Sequence, residues 1–481
     1  MRLPNIVILY ADDLGYGDVG CYNEHSKIST PHLDRLARQG MRFTDAHSSS
    51  GICTPSRYAL LTGRHHWRKF HGIVQAFGPS KFADDRLTMP EMLQRRGYRT
   101  ACIGKWHLGW DWSGAKLPGA KQQQGKGFAA DQFDWSQPVT DGPLAHGFDY
   151  YFGDDVPNFP PYTWIENDHV VTAPTLAYVA SPKPLEGSHE GRPGPMAKGW
   201  RLDQVMPELT KRAVSYVHGQ QHADEPFFLY VPFTSPHAPI VPSGSHVGSS
   251  GAGPYGDFVA QTDATVGAVL QALEDAGLAD DTLVVFSSDN GPEHYAYERM
   301  RTFDHHSSGG LRGLKRDVWE GGHRVPMIVR WPGVVAANQT SDALLGQVDL
   351  MATLASLVGF ALPQDQAEDS FNLMPLWLDE VDRVRDFLVH NTFAKKWGIR
   401  RGKWLLIDHN DGAHSRVPKW LLERYPANDQ NVMLCDLDQD LEQEVNLAGQ
   451  HPEVVAELRM LLKDVRQRGH SAPRLATETK Q

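Results

Sequence analysis

Short apolar runs alternate with amphipathic stretches through most of the chain. Asn5 to Tyr10, Arg99 to Ile103, Phe227 to Phe233 and Leu283 to Phe286 are brief and largely apolar, the pattern of strands covered on both faces. Capped helical patterns lie among them. One begins at Thr30-Pro31, carries Leu33, Leu36 and Ala37 on one face, and stops at Gly40. A second spans Pro90 to Arg96 before Gly97, and a longer one, about Tyr255 to Ala276, repeats Val259, Val266, Val269, Leu270 and Leu273 before Gly277. The alternation predicts an α/β fold with a large, mostly parallel sheet between two helical layers. From about 108 to 200 it gives way to Gly, Pro, Gln and aromatic residues, a long irregular insertion of the kind that forms binding loops or lids. Gly398 to Ile407 reads as a hairpin and Pro452 to Arg468 as a final helix. A catalytic domain over 1–375 is therefore expected, followed by a smaller subdomain over 376–481 with a short antiparallel sheet and a helix.

The residues just after each strand carry the polar chemistry. Asn5 to Tyr10 runs into Ala11-Asp12-Asp13, Arg99 to Ile103 into Gly104-Lys105-Trp106-His107, Phe227 to Phe233 into Thr234-Ser235-Pro236-His237, and Leu283 to Phe286 into Ser287-Ser288-Asp289-Asn290-Gly291. Carboxyl ends of parallel strands share one edge, where open α/β sheets bind ligands. Asp12, Asp13, Asp289 and Asn290 offer oxygen only, which suits a hard cation and suits zinc poorly. Calcium is the preferred reading and magnesium the alternative.

The run Cys53-Thr54-Pro55-Ser56-Arg57-Tyr58-Ala59-Leu60-Leu61-Thr62-Gly63-Arg64 places a thiol at a helix start. Thr54 is expected to cap that helix, with Pro55 at its first position and Gly63 as its left-handed stop. Arg57 then sits in the first turn, near the positive end of the helix dipole, which calls for an anion beside it.

This run resembles the signature of the type I, formylglycine-dependent sulfatases, in the alkaline phosphatase superfamily; Cys53, Pro55, Ser56, Arg57 and the trailing Thr62-Gly63-Arg64 stand at its positions. The resemblance implies an alkaline-phosphatase-like α/β/α sandwich. It also implies that a formylglycine-generating enzyme or an anaerobic maturase oxidises Cys53 to formylglycine, and that one divalent ion is held by Asp12, Asp13, Asp289, Asn290 and residue 53. Gly-Lys-Trp-His-Leu-Gly, with Lys105 and His107, looks like the second signature, and His237 and Lys315 fall at the positions of the leaving-group histidine and a second sulfate-binding lysine. By this likeness one hydroxyl of the hydrated aldehyde attacks sulfur while His237 protonates the departing alcohol. The second hydroxyl, deprotonated by His107, re-forms the carbonyl and expels sulfate. Arg57, Lys105 and Lys315 stabilise the transferring group. A serine at position 53 would be left as a stable sulfate ester. The likeness extends to about residue 450, where Cys435 replaces a common tyrosine and Gln439-Asp440 an Asp-Pro turn.

Composition narrows the partners. A formal charge of -11 argues against nucleic acid and against long polyanions, which call for a basic face. The four cysteines, Cys21, Cys53, Cys102 and Cys435, form no disulfide framework, and no apolar run reaches the roughly 20 residues that span a bilayer. The chain as written carries no leader, giving a cytoplasmic expectation, with periplasmic or secreted as the alternative if a signal was removed. For substrate, Trp110, Trp112, Tyr162, Trp164 and Trp397 are candidates for stacking on sugar rings, and His294, Arg299, His305, His306, Arg400 and Lys403 for contacting further anionic or hydroxyl groups. The preferred reading is an exo-acting sulfatase on a sulfated saccharide. An aryl or alkyl sulfatase, or a phosphonate or phosphate monoester hydrolase of the same superfamily, is the alternative.

Overall fold

The computed structural model describes residues 3–122, 127–179, 186, 191–425 and 428–473. Its centre is a ten-stranded sheet of β1 (Asn5–Asp12), β2 (Met41–Phe43), β3 (Arg99–Ile103), β4 (Tyr150–Gly153), β5 (Ile165–Glu166), β6 (His169–Val170), β7 (Phe227–Pro236), β8 (Thr282–Ser288), β9 (Met327–Arg330) and β10 (Gln339–Ser341). In space the strands run β10-β2-β9-β8-β1-β7-β3-β4-β5-β6. The five in the middle, β8-β1-β7-β3-β4, are mutually parallel, and antiparallel pairs flank them on both sides.

Side-chain alternation along β1 divides the interior into two layers. Ile6, Ile8 and Tyr10 face one way, onto α2 (Cys53–Thr62), α3 (Met89–Gln94) and α6 (Leu350–Leu357). Val7, Leu9 and Ala11 face the other, onto α1 (Pro31–Arg38), α4 (Val205–Gly219) and α5 (Gly253–Asp275). Both faces are covered, which is why these strands read as apolar runs rather than as alternation.

A second sheet of four antiparallel strands follows: β11 (Phe387–Asn391), β12 (Trp397–Arg401), β13 (Trp404–Ile407) and β14 (Met433–Asp436). One face packs on α7 (Pro452–Gln467) through Ile399, Leu406, Leu434, Leu458 and Leu462. The other packs on Val318 and Trp319 of the loop that carries Lys315, so this small sheet supports one wall of the site described next. Among the described residues no helix is long and apolar enough to cross a membrane.

Candidate active site

Strand register brings the polar clusters together. Ala11 pairs with Ser288 and Asp12 with Pro236, so Asp12-Asp13, Asp289-Asn290 and His237 leave adjacent strands at one edge. Lys105 joins them because its backbone N–H donates to the Pro232 carbonyl at 2.8 Å. That approach needs Gly104, at φ +139°, where a Cβ would lie 2.0 Å from the same carbonyl oxygen.

Helix α2 begins at Cys53 and ends at Gly63, which is left-handed at φ +65° as expected. The capping differs from expectation. Ile52 is the cap residue, with no side-chain bond, while Thr54 Oγ1 donates to the His107 carbonyl at 2.8 Å and accepts from Val74 N–H at 3.1 Å. Thr54 thus ties the nucleophile helix to the loop of the second signature. Arg57 finds its anion within the protein: Nε and Nη2 both donate to Asp289 Oδ2, at 3.0 and 2.8 Å, and Nη1 donates to the Lys105 carbonyl at 3.1 Å.

Each remaining cation is likewise held by a carboxylate. Lys105 Nζ donates to Asp12 Oδ2 at 2.6 Å, and Lys315 Nζ to Asp13 Oδ2 at 2.7 Å, all four side chains being buried. Burial alone depresses the Lys105 ammonium, but Asp12 more than offsets this and holds it above its ordinary value. Burial pushes the Asp13 carboxyl up, and Lys315 and His237 pull it below its usual range. Burial and the Asp12 charge push Asp289 up against the pull of Arg57.

The two histidines are oriented by carbonyls, which only accept. His107 Nε2 donates to the Val74 carbonyl at 3.0 Å, leaving Nδ1 as its lone-pair nitrogen, with no hydrogen-bond partner among the described residues. Burial, then the Lys105 charge, hold this imidazole well below its ordinary pKa. His237 Nδ1 donates to the Ala238 carbonyl, and its Nε2 lies 3.7 Å from Asp13 Oδ2. Burial, then the Lys315 charge, push it down to about 3. The Cys53 thiol is pushed up to about 11 by burial, unlike the depressed thiols of cysteine nucleophiles.

A divalent ion fits these residues. Ligand atoms of Asp12, Asp13, Cys53 and His237 lie within 4.8 Å of one another. Two buried oxygens, Asp12 Oδ1 and Asn290 Oδ1, accept no hydrogen bond among the described residues, and such orphaned acceptors call for a cation.

Cys53, His107, Asp13, His237 and Lys315 line a single cavity of about 470 Å³. The 108–200 insertion adds Asn158, Phe159, Gly191 and Arg192 to its wall, and Arg192 lies over the Phe159 ring at 3.7 Å. Glu293, His294, Tyr295, Arg316 and Phe393 line it as well, with Ile52, Ile73 and Ala238. Glu293 accepts from both Arg316 Nη1 and Nη2 and from His294. Sequence reasoning did not single out Glu293, Arg192 or Phe159; the signal for Glu293 was its place three residues beyond Asn290, in the same strand-end loop.

Of the eleven substrate-contact candidates, Trp110, Trp112, Tyr162, Trp164, Trp397, His294, Arg299, His305, His306, Arg400 and Lys403, His294 alone lines this cavity. Trp164 packs between Phe152 and Trp200, and Arg299 is buried on Glu186 Oε1 at 2.9 Å and over the Tyr255 ring. Trp397 packs edge-on to Trp67 in the second sheet's core, and Arg400 is buried between Asp45 and Glu320. Each has protein partners that composition alone does not reveal. Trp110 and Trp112 are core residues as well.

Comparison with known proteins agrees with this geometry. The family model described as Sulfatase matches residues 4–360. N-acetylgalactosamine-6-O-sulfatase of Bacteroides thetaiotaomicron is 34% identical, over 97% of this chain and 93% of its own. Arylsulfatase A of Homo sapiens is 35% identical, over 96% and 87%. A solved structure described under the metabolism of multiple glycosaminoglycans by Bacteroides thetaiotaomicron superposes with a TM-score of 0.82 at 32% identity, covering 97% of this chain and 100% of that one. With its signature cysteine, Asp13, Lys315 and two histidines lining one cavity and Lys105 held on Asp12, the chain belongs to the sulfatase family and is a sulfuric ester hydrolase.

Proposed function

We propose that this enzyme removes sulfate from the end of a sulfated saccharide, using a formylglycine made from Cys53 by a maturation enzyme and one calcium ion, with magnesium as the alternative. The observation that carries the substrate class is the cavity wall, where Asn158, Arg192 and His294 join Asp13, Cys53, His107, His237 and Lys315 and bring hydrogen-bonding and cationic groups to one pocket. A volume of about 470 Å³ suits a chain end better than a groove for an extended polymer. The names of the relatives, an N-acetylgalactosamine-6-O-sulfatase and a structure described under glycosaminoglycan metabolism, support the same reading.

Asp12, Asp13, Asp289, Asn290 and residue 53 would hold the ion. The inner cations Arg57, Lys105, Lys315 and Arg316 each already lie beside a carboxylate, so a divalent ion supplies the surplus positive charge that an anionic ester needs, and lowers the pKa of a hydroxyl it binds. The hydrated aldehyde offers two hydroxyls on one carbon, one for transfer of the sulfo group and one for its release. Lys315, which lines the cavity, and Lys105, buried on Asp12 beside it, would stabilise charge on the sulfate oxygens. His237 Nε2, bare because Nδ1 donates to the Ala238 carbonyl, would take the proton lost by the attacking hydroxyl and pass it to the departing alcohol oxygen as its bond to sulfur breaks. His107 Nδ1, its lone pair exposed by the Nε2 bond to Val74, accepts the proton lost when sulfate leaves.

The test is sulfate release from a panel of defined sulfated saccharides beside an activated aryl sulfate and the matched phosphate monoester. Saccharide turnover supports the reading. Good aryl turnover with no saccharide released, or a preference for the phosphate ester, overturns it.

A further inference from the structure

Behind the Cys53 loop, three buried histidines meet that the sulfatase chemistry does not use. His47 ends the short strand Ala46–His47, His323 ends the single helical turn Glu320–His323, and His390 lies on β11; each is 1% exposed or less. Their ring nitrogens lie within 4.8 Å of one another.

The hydrogen bonds at the far side of two rings determine what faces the middle. His47 Nε2 lies 2.8 Å from Asp45 Oδ1, and His323 Nε2 lies 3.2 Å from the Val318 carbonyl. A carbonyl only accepts, and Asp45, paired with Arg400 and Arg324, is an acceptor too. Both Nε2 atoms therefore carry the proton, and the neutral rings turn bare Nδ1 lone pairs toward each other 3.0 Å apart. Two facing acceptors repel unless a cation joins them. Asp45 and Glu320 are already matched by Arg324 and Arg400, which leaves little to hold a buried imidazolium.

Two further groups are left without partners. Neither nitrogen of His390 makes a hydrogen bond among the described residues, nor does Glu320 Oε1, and a Glu320 oxygen lies within 4.8 Å of ligand atoms of His47 and Asp45. The geometry points to a transition-metal site, of the kind zinc takes, with His47, His323 and His390 as ligands, Glu320 beside them and Asp45 orienting His47 from behind. Two nitrogens about 2.0–2.1 Å from a tetrahedral zinc sit about 3.3 Å apart, so the His47 and His323 pair opens by only a few tenths of an ångström. His390, whose ring stacks on His323 at 3.7 Å, leaves that stack to ligate.

The ligand set separates this site from the strand-end site. Imidazoles select zinc, cobalt or nickel, whereas the oxygen-only carboxylates and amide suit calcium. Its ligands come from the segment leading to Cys53, the loop beyond Lys315 and the second sheet, so the ion acts as a clamp rather than as a catalyst.

The test uses full-length protein made without a metal-affinity tag, stripped of transition metals by phenanthroline with calcium present throughout, then incubated with zinc or cobalt. Elemental analysis should find one equivalent of zinc per chain, cobalt should give the visible absorption of a nitrogen-rich tetrahedral site, and zinc should raise the unfolding temperature. His390→Gln, and separately His47→Gln, should lose the uptake while still binding calcium. Wild-type protein that stays folded yet takes up only a small fraction of an equivalent overturns the site, as does uptake that survives both substitutions. These readouts do not involve sulfate ester turnover, so they succeed or fail independently of the substrate assignment.

Discussion

The Arg57 guanidinium donates through Nε and Nη2 to one oxygen, Asp289 Oδ2, at 3.0 and 2.8 Å, and does not reach the cavity. We propose that the signature arginine positions a metal-ligand candidate; its third donor goes to the Lys105 carbonyl. Arg57→Lys keeps the charge but cannot reproduce this fork. Its kcat/KM should fall by about 100-fold, with weaker calcium affinity in a titration monitored by activity. Arg57→Ala leaves Asp289 buried and unpaired, which should cost about 3–5 kcal/mol in denaturant unfolding. Unchanged calcium affinity in Arg57→Lys would contradict the positioning role.

His237 matters in proportion to how poor the leaving group is. His237→Ala should lose about 10²–10⁴-fold on a sugar sulfate, the usual worth of a general acid, and much less on an activated aryl sulfate that departs without a proton. Equal losses on both substrates would remove His237 from the proton-transfer role.

Arg192 belongs to the insertion and lines the cavity, its Nη1 donating to Gln75 Oε1 at 2.7 Å. Arg192→Ala should raise KM for a sulfated disaccharide by about 5- to 30-fold, the effect of roughly 1–2 kcal/mol, while kcat on a small aryl sulfate stays near wild type. A matching loss of kcat on both would show that Arg192 shapes the catalytic centre instead.

Much of the fold was legible because the physics is local. The four core strands, the long helix near Tyr255 to Ala276 and the final helix stand within a few residues of their expected bounds, since burial on both faces leaves its mark in each segment's own composition. The strand-end clusters converge for the same reason: parallel strands share an edge. What the sequence hid depends on distant partners. Thr54 looks like a cap until the His107 carbonyl and Val74 N–H are placed beside it. Trp397 and Arg400 resemble ligand-binding side chains until Trp67, Asp45 and Glu320 are seen to occupy them.

Acid stability offers a test that does not depend on turnover. Burial pushes His65 from 6.5 down to about 4. Below pH 6.5 the unfolded chain takes up a proton that the folded protein refuses until near pH 4, so the contribution is complete above 6.5 and is lost as pH falls between the two. A gap of that size is worth on the order of 3 kcal/mol. Urea unfolding at pH 7.5 and 4.5 should therefore show a smaller acid loss in His65→Gln than in wild type. Equal losses would mean that His65 titrates normally in the folded state.

Residue 53 is expected to transfer the sulfo group and to need a second hydroxyl to release it. Cys53→Ser supplies one hydroxyl only. After incubation with a sulfate ester substrate, mass analysis of the peptide spanning residue 53 should find it carrying one sulfo group, with a single turnover and no steady state. Wild-type protein should show the aldehyde at that residue and turn over continuously. A Cys53→Ser enzyme that turns over repeatedly, or a wild-type enzyme that does so with an unmodified thiol, would rule out this role for residue 53.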